Sequence, residues 1–467
     1  MVWRMSSLNE ITNWLHDHLP ALLTKHKVPG AAVAVLAGGE VADLAGGVLS
    51  KATGVEATPD SVFQIGSITK VWTTTLIMQL VDEGKLDLDA PVRAILPEFR
   101  LVDEAAAATI TARQLLSHTA GFEGDIFTDT GRGDDCVEKY IATLNEVAQL
   151  FSPGEMFSYN NAGFCVLGRI VEVLRGLQFD ECVRRHLVAP LGLKHVANGA
   201  EEAILFRAAV GHLSPDPQAD PQPAPVWCLA RSTAPAGAML SMRARDLVAF
   251  ARMHLDGGTA ADGTAVLSAA SAEAMRQPQV KLPPLGLMGT SWGLGWEIYD
   301  WPDGTVIGHD GGTIGQAAFL RVVPERGVAV ALLTNGGNPI ALYTEIFGHV
   351  LRELAGIAMP PLPALPADPS TVDVSRYLGT YLSEVGELTV SRDGDGRLWL
   401  DQVPKGVLAE IGGQPERKEL VHLDGDTFLP VQTQLGVHLP HVFVGDDGHG
   451  RALYIHSGRA TRRVATP

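Results

Sequence analysis

A serine and a lysine three positions apart lie at the start of an apolar segment. Ser67 and Lys70 belong to the stretch FQIGSITKVWTTT, residues 63–75. Residues at positions i and i+3 of a helix share a face, so the Ser67 hydroxyl would lie beside the Lys70 amine. A free serine hydroxyl is a weak nucleophile, and an adjacent base activates it. The N–H groups at a helix start would also favour the negative charge that develops there. The pair therefore indicates an activated serine nucleophile.

Lys70 can serve as that base only when its amine is neutral. The reference pKa of lysine is about 10.4, and lowering it to near 7 costs about 4–5 kcal/mol through desolvation or a neighbouring positive charge. A charged Lys70 that lowers the pKa of a different base is the alternative. A helix cap beside a solvated lysine is the structural alternative to any site. Ser-x-x-Lys patterns also occur by chance, so partners elsewhere in the chain decide the interpretation.

Two later segments supply such partners. In PGEMFSYNNAG, Tyr159 and Asn161 form a Tyr-x-Asn triplet just before a predicted helix. In VIGHDGGTIGQ, His309, Gly311 and Gly312 follow a β-like run. Each side chain also has a structural interpretation: Tyr159 as a packed aromatic, Asn161 as a helix N-cap and His309 as a strand-end histidine. The segment LLSHTAGF contains a further histidine, His118, which we interpret as a turn anchor.

The order Ser-x-x-Lys, Tyr-x-Asn, His-x-Gly resembles the penicillin-recognising serine enzymes. These include class C β-lactamases, D,D-peptidases, D-aminopeptidases and related esterases, and the resemblance covers roughly residues 10–357. It implies that Ser67 is the acylated nucleophile. It also implies that Lys70 holds the serine in position and keeps the protons that the site exchanges. It implies Tyr159 as base toward Ser67 and then acid toward the leaving group.

The same resemblance implies the substrate contacts. Asn161 would donate its side-chain amide to the substrate backbone, and Gly311 and Gly312 would border the substrate. The backbone N–H groups of Ser67 and Gly312 would form the oxyanion hole.

His309 departs from the family pattern, which often has lysine at this position. It could hydrogen-bond Tyr159 and help to shuttle the proton. Loss of the permanent positive charge weakens the β-lactamase interpretation and favours esterase or peptidase relatives. Because histidine titrates near 6.5, we expect the rate to change between about pH 5 and 8.

The elements that must position these residues follow from the periodicity. A hairpin is predicted at Gly38-Gly39, a helix over Ile68–Val81, mostly helices between about 85 and 290, and antiparallel strands from about 292. Such a chain can close as a sheet built from both ends with a helical insert beside it, and the site then lies between them. The resemblance implies the same class, an α/β (α+β) β-lactamase-like fold with an antiparallel sheet and a helical subdomain.

Three regions are predicted along the chain. Residues 1–357 form the serine hydrolase domain, 358–370 a proline-rich linker and 371–467 a small all-β domain. Short strand runs broken by Asp-Gly turns indicate an antiparallel barrel or sandwich in the last region. It resembles the lipocalin-like barrel appended to some of these hydrolases. In some relatives such a domain borders the active site and restricts substrate length. A stabilising or oligomerising module is the alternative.

Composition limits the other functions. The 467-residue chain carries a formal net charge of −17 and no run of basic residues, so we predict no nucleic-acid partner. No stretch reaches the roughly 20 apolar residues of a membrane span. The N-terminal leucines have the spacing of an amphipathic helix and not the pattern of a signal peptide. Four cysteines without a CxxC pair predict neither a disulfide framework nor a zinc site. We predict a cytoplasmic protein without cofactor or metal.

Three functions remain open. The first is hydrolysis, through an acyl-enzyme on Ser67, of an ester or of a peptide that carries D-residues. The second is that of penicillin-binding-protein-type thioesterases, which release and macrocyclise nonribosomal peptides. The third is a binding protein with an idle site. The predicted partner is a small molecule or a peptide, including a peptidyl thioester, and the oligomeric state stays open.

Overall fold

A computed structural model describes residues 6–214, 219–370, 372–410 and 413–464. Its first helix confirms the amphipathic spacing of the N-terminal leucines. Ser7 caps this helix in a reciprocal capping box with Glu10, and the buried residues face the sheet and the helix Pro339–Ala355. In the part of the chain that the structure describes, no helix is long and apolar enough to cross a membrane.

Strands from both ends of the first 357 residues form one antiparallel sheet of eight strands, which confirms the predicted closure. The order across the sheet is β2-β1-β13-β12-β11-β10-β9-β8. Its strands are β1 (Gly30–Ala37), β2 (Glu40–Gly47), β8 (Val280–Lys281), β9 (Ser291–Trp292), β10 (Glu297–Trp301), β11 (Gly304–Gly312), β12 (Ala317–Val323) and β13 (Val328–Thr334). Short strands elsewhere are β3 (Phe63–Gln64), β4 (Val196–Ala197), β5 (His212–Leu213), β6 (Gln222–Pro223) and β7 (Ser241–Met242).

The alternation along β1 explains why both faces of the sheet are covered. Ala32 and Ala34 face the helical insert, whereas Ala31, Val33 and Val35 face the first and last helices of this region. The sequence of a strand that is buried on both faces is a continuous apolar run, and β1, GAAVAVLA, has this pattern.

Helices fill the insert and cover the other face of the sheet. They are α1 (Leu8–Lys25), α2 (Thr69–Asp82), α3 (Glu104–Ala107), α4 (Ala112–Leu116), α5 (Cys136–Thr143), α6 (Asn161–Arg175), α7 (Phe179–Val183), α8 (Ala200–Ala203), α9 (Ala244–Leu255), α10 (Ala269–Met275) and α11 (Pro339–Ala355). A further short helix, α12 (Gly406–Glu410), lies in the C-terminal region. Every residue of α2 from Thr69 to Leu80 is buried. A helix that is covered on all sides holds its first turn rigidly, and that turn follows Ser67.

The proline-rich segment SPDPQADPQPAP, residues 214–225, is described only in part. Residues 215–218 lie outside the described residues, and β5 and β6 pair on either side of them.

The C-terminal strands form a closed antiparallel barrel and not a sandwich. The eight strands follow one another in sequence and close through the pairing of the first with the last. They are β14 (Gly379–Ser383), β15 (Gly386–Arg392), β16 (Leu398–Pro404), β17 (Glu416–Asp424), β18 (Thr427–Pro430), β19 (His441–Val444), β20 (Tyr454–His456) and β21 (Ala460–Arg463). One predicted Asp-Gly turn joins β17 to β18, where Gly425 has a φ of 53°.

Candidate active site

Ser67 lies in a one-turn 3₁₀ helix, Gly66–Ile68, between β3 and α2. The end of β11 packs directly against this turn. A Cβ atom on Gly311 would lie 1.9 Å from the Ile65 carbonyl oxygen and 3.1 Å from the Ser67 nitrogen, so glycine is required for this approach. Gly311 therefore packs against the backbone, whereas Gly312 lines the cleft. The two predicted oxyanion donors, Ser67 N–H and Gly312 N–H, come from these adjoining segments, and their role stays a prediction.

Lys70 is completely buried below Ser67. Its Nζ lies 3.1 Å from Ser67 Oγ, 2.7 Å from Asn161 Oδ1 and 2.6 Å from the Ala236 carbonyl oxygen. Burial lowers the pKa of Lys70 to about 7. A neutral amine has two N–H donors and one lone pair. The two N–H groups of Lys70 donate to Asn161 Oδ1 and to the Ala236 carbonyl oxygen, so the lone pair is left to face the Ser67 hydroxyl. This arrangement favours Lys70 as the base.

Tyr159 is buried beside this pair. Its ring stacks on His118 at 4.3 Å between centroids, and Lys70 Nζ and Arg459 Cζ lie 4.8 and 4.7 Å from its centroid. Despite these cations, burial raises the pKa of Tyr159 above its ordinary value. A phenol that keeps its proton donates readily but is a poor base. The geometry thus favours Tyr159 as proton donor, in contrast to the base role that the family resemblance implies.

Asn161 is the first residue of α6, and both the oxygen and the nitrogen of its side-chain amide form hydrogen bonds. Its Oδ1 accepts from Lys70, and its Nδ2 donates to Asp125 Oδ1 at 2.7 Å. The N-cap of this helix is the preceding residue, Asn160, whose Oδ1 accepts from the Gly163 N–H at 2.7 Å. The N-cap alternative for Asn161 is therefore wrong. One Nδ2 proton remains for a substrate carbonyl.

His309 lies on β11 and is 1% exposed. Its Nδ1 donates to the Asp310 carbonyl oxygen at 2.6 Å, which leaves Nε2 as an acceptor. Burial, and then the charge of Lys70, lower the pKa of His309 to about 3. The expectation of a titration near 6.5 is therefore corrected: desolvation keeps this imidazole neutral between about pH 5 and 8.

His118 anchors its turn, as expected from the sequence, and also supports the cleft. It has a φ of 57°, and its Nδ1 accepts from the Asn160 N–H at 2.9 Å. Its ring forms the base on which Tyr159 stacks. The histidine therefore orients the Tyr159 ring through packing.

The barrel contributes a residue that the sequence analysis missed. The turn between β20 and β21 docks on the segment that carries Tyr159, and the Tyr159 N–H donates to the Gly458 carbonyl oxygen at 3.0 Å. Arg459, in the same turn, pairs with Asp125 at 2.8 Å. Its charge faces the cleft next to Tyr159. No local motif marks SGRA as functional, because its role depends on docking.

Ser67, Tyr159, Asn161 and His309 line one cleft of about 370 Å³. Gly312 and Arg459 complete it on the sheet side and the barrel side, and Lys70 lies beneath its floor. The wall next to His309 also contains two acidic residues that the sequence analysis missed, Glu297 and Asp310. The structure thus brings the predicted polar side chains together around one serine hydroxyl.

Known proteins resemble this chain over most of its length. The β-lactamase family model matches residues 15–352. Penicillin-binding protein 4 of Amycolatopsis lactamdurans is 50% identical over 372 residues, which cover 79% of this chain and 97% of that relative. SurE, solved with D-Leu, superimposes with a TM-score of 0.77 at 29% identity and covers 98% of this chain and 100% of its own. An octameric penicillin-binding protein homologue from Pyrococcus abyssi, at 22% identity and a TM-score of 0.62, covers 93% of this chain and 96% of its own, and it shares the fold.

Proposed function

The chain belongs to the β-lactamase family of serine hydrolases, and from this premise we propose that it forms an acyl-enzyme on Ser67 with the acyl group of a peptide that carries a D-residue. The observation that carries the proposal is the position of Lys70 Nζ, 3.1 Å from Ser67 Oγ, with its other contacts directed to two acceptors. This geometry prepares the serine to lose its proton as it attacks.

Acylation then proceeds by attack on an ester, thioester or amide carbonyl. Ser67 Oγ forms the new C–O bond while its proton passes to Lys70. The backbone N–H groups of Ser67 and Gly312 hold the oxyanion. The bond from the carbonyl carbon to the leaving group then breaks as Tyr159 donates its phenolic proton to that group, and the proton on Lys70 restores the phenol. Water or an amine finally resolves the acyl-enzyme.

The choice of a D-configured substrate rests on the similarity to SurE, which was solved with D-Leu and matches this chain from end to end. The cleft adds a polar boundary on the barrel side, where Arg459 faces the substrate space. A guanidinium there is suited to a carbonyl or carboxylate oxygen of a peptide.

A second candidate is release of a nonribosomal peptide with ring closure, as in penicillin-binding-protein-type thioesterases. The observation in its favour is the docked barrel, because its turn binds the Tyr159 segment through Gly458 and contributes Arg459 to the cleft lining. A folded peptide acyl chain in such a cleft could present its own amine to the acyl-enzyme. A positioned amine has a high effective concentration and competes with water.

A fluorophosphonate probe tests the nucleophile. We expect rapid labelling of the wild type, no labelling of Ser67→Ala and normal labelling of Ser391→Ala, which changes a serine on β15. Failure of the wild type to react would support a binding protein with an idle site.

A linear peptidyl thioester tests the substrate. Versions with a D- or an L-residue at the C-terminus are offered separately, and mass spectrometry distinguishes ring from acid. We expect turnover of the D-version, and equal turnover of both would contradict the D-preference.

A further inference from the structure

The wall of the cleft next to His309 has a chemistry that acylation of Ser67 does not use. His309, Glu297 and Asp310 all line the cleft there. Because Asp310 follows His309 on one strand, its carboxyl group lies on the opposite face of the sheet and is bound by Arg321, so the acceptors that can face the cleft are His309 Nε2 and the Glu297 carboxyl group. Glu297 is 3% exposed and its Oε1 lies 3.9 Å from His309 Nδ1. The three side chains lie on the neighbouring strands β10 and β11, where Glu297 pairs with Gly308. This group is called the acceptor wall below.

The direction of the His309 hydrogen bond makes Nε2 an acceptor without a partner. Nδ1 is committed to the Asp310 carbonyl oxygen, so Nε2 carries the lone pair. Among the described residues, Nε2 is buried and has no hydrogen-bond partner. A buried polar atom that is left unpaired costs free energy, so a ligand that donates a hydrogen bond there is favoured. A lysine at this position would present donors instead.

The carboxyl groups of the acceptor wall are held in place from behind. Arg321, 1% exposed, donates to Asp310 Oδ1 at 2.6 Å and to Oδ2 at 3.1 Å. The Tyr299 hydroxyl donates to Glu297 Oε2. Gly308 lies between them and has no side chain, which leaves room for Arg321 to cross behind the cleft. These hydrogen bonds therefore hold the carboxyl oxygen atoms of the wall in fixed positions.

The electrostatics of the wall match a cation or an N–H donor. Burial, followed by the charge of Asp310, raises the pKa of Glu297 to about 8. A positive charge placed in the cleft would relieve both effects, because it stabilises the ionised carboxylate. The Arg459 guanidinium also lines the cleft, and it repels such a charge. A ligand with an amine is therefore favoured at the wall that contains His309 and Glu297.

We propose that His309 and Glu297 form the binding subsite for a primary amine, the acceptor that resolves the acyl-enzyme. The inference rests on the proposed function, since it assigns the second reactant of the same site. One N–H group of the neutral amine donates to His309 Nε2 and the other to a Glu297 carboxyl oxygen, which leaves the nitrogen lone pair to face the acyl carbon. Its nitrogen forms a bond to the acyl carbon, the bond from that carbon to Ser67 Oγ breaks, and one amine proton returns to Oγ.

A partition assay tests the subsite. A peptidyl thioester with a D-residue at its C-terminus acylates the enzyme, and phenylalanine amide is added as the acceptor. The ratio of amide to acid product is measured against acceptor concentration. We expect the ratio to saturate for the wild type and to fall about tenfold in Glu297→Gln, since a charge-assisted hydrogen bond contributes about that factor.

The matched control is Glu123→Gln, which changes another buried carboxyl group, one outside the cleft lining. We expect its product ratio to equal that of the wild type. An unchanged ratio in Glu297→Gln, or a wild-type ratio that rises linearly without saturation, would overturn the subsite while leaving Ser67 labelling intact. Circular dichroism shows whether each variant is folded, and His309→Phe, which removes the Nε2 acceptor, is the second variant.

Equilibrium binding separates failure of the subsite from failure of the proposed function. Calorimetric titration of Ser67→Ala with phenylalanine amide and with its N-acetyl derivative needs no turnover. We expect the free amine to bind about tenfold more tightly, and this preference to disappear when Glu297→Gln is added. Equal binding of the two compounds to Ser67→Ala would refute the proposal even if no substrate is ever turned over.

Discussion

At the residue scale, proton transfer from Ser67 depends on the protonation of Lys70. Two fixed acceptors, Asn161 Oδ1 and the Ala236 carbonyl, take up its N–H donors, and burial lowers its pKa to about 7. The charged form has no lone pair and cannot accept the serine proton. Acylation should therefore require the neutral amine.

The pH profile of acylation tests this assignment. The neutral fraction of Lys70 rises with pH, so we expect kcat/KM for an ester to increase about tenfold per unit below pH 7 and to level above about pH 8. His309→Asn should lower the rate but keep the midpoint, because His309 stays neutral in this range. A midpoint that vanishes in His309→Asn would show that the histidine, and not Lys70, carries the titration.

The same pKa has a consequence for stability. A lysine of the unfolded chain titrates near 10.4, so between about pH 7 and 10 the unfolded state binds more protons than the folded state. The contribution of Lys70 to the free energy of unfolding is therefore unfavourable at pH 7 and rises with pH toward 10.

Denaturation of Lys70→Met at two pH values measures this contribution. The quantity measured is the free energy of unfolding of Lys70→Met minus that of the wild type. We expect this difference to be about 3 kcal/mol larger at pH 7 than at pH 9.5. The control Lys194→Met changes a surface lysine and should show the same difference at both pH values. An equal effect of Lys70→Met at both would mean that Lys70 is charged in the folded protein.

At the scale of elements, the end of β11 and the turn that carries Ser67 must touch. Gly311 makes this possible, since a Cβ atom there would collide with the Ile65 carbonyl oxygen at 1.9 Å. The same contact aligns the backbone donors of the proposed oxyanion hole.

Gly311→Ala should separate the two elements. We expect fluorophosphonate labelling of Ser67 to slow about 10²–10³-fold, the loss typical of a displaced oxyanion donor. Gly348→Ala, on α11 with open space around its Cβ position, is the control and should label normally. Normal labelling of Gly311→Ala would exclude the backbone of β11 from the oxyanion hole.

At the scale of the whole molecule, the barrel contributes Arg459 to the cleft that contains Ser67. Three hydrogen bonds join β20 and β21 to the segment before α6: Tyr159 N–H to the Gly458 carbonyl, Ala460 N–H to Ser158 Oγ, and His456 Nε2 to the Phe157 carbonyl. Arg459 is thereby fixed beside Tyr159. The barrel therefore borders the cleft, and a stabilising or oligomerising role for it stays open.

Arg459→Gln tests the contribution of the barrel. The change removes the partner of Asp125, whose carboxylate then faces Asn161 and Lys70 without compensation. We expect kcat/KM to fall about tenfold or more, as for truncation of a hydrogen-bonded charge pair. Arg451→Gln, at an exposed position of the barrel, should keep full activity. Equal activity of both variants would mean that the barrel covers the cleft but that Arg459 does not contribute to catalysis.

The sequence by itself determined the short-range features: the helical face shared by Ser67 and Lys70, the Tyr-x-Asn triplet before α6 and the strands that alternate with turns. The domain division at 357 and 371 stays a prediction, although no helix or strand lies between Ala355 and Gly379 in the described chain. Spacing within one element depends on backbone geometry, which a sequence carries locally.

Only the tertiary structure decided which distant groups meet and which of them keep their protons. Arg459, Glu297 and Asp310 reach the cleft because the barrel docks and β10 pairs with β11, and no local pattern encodes either event. The pKa directions of Lys70 and His309 follow from burial, which depends on every element packed around them. Desolvation is a property of the assembled molecule, so it could not be read from residue types and their spacing.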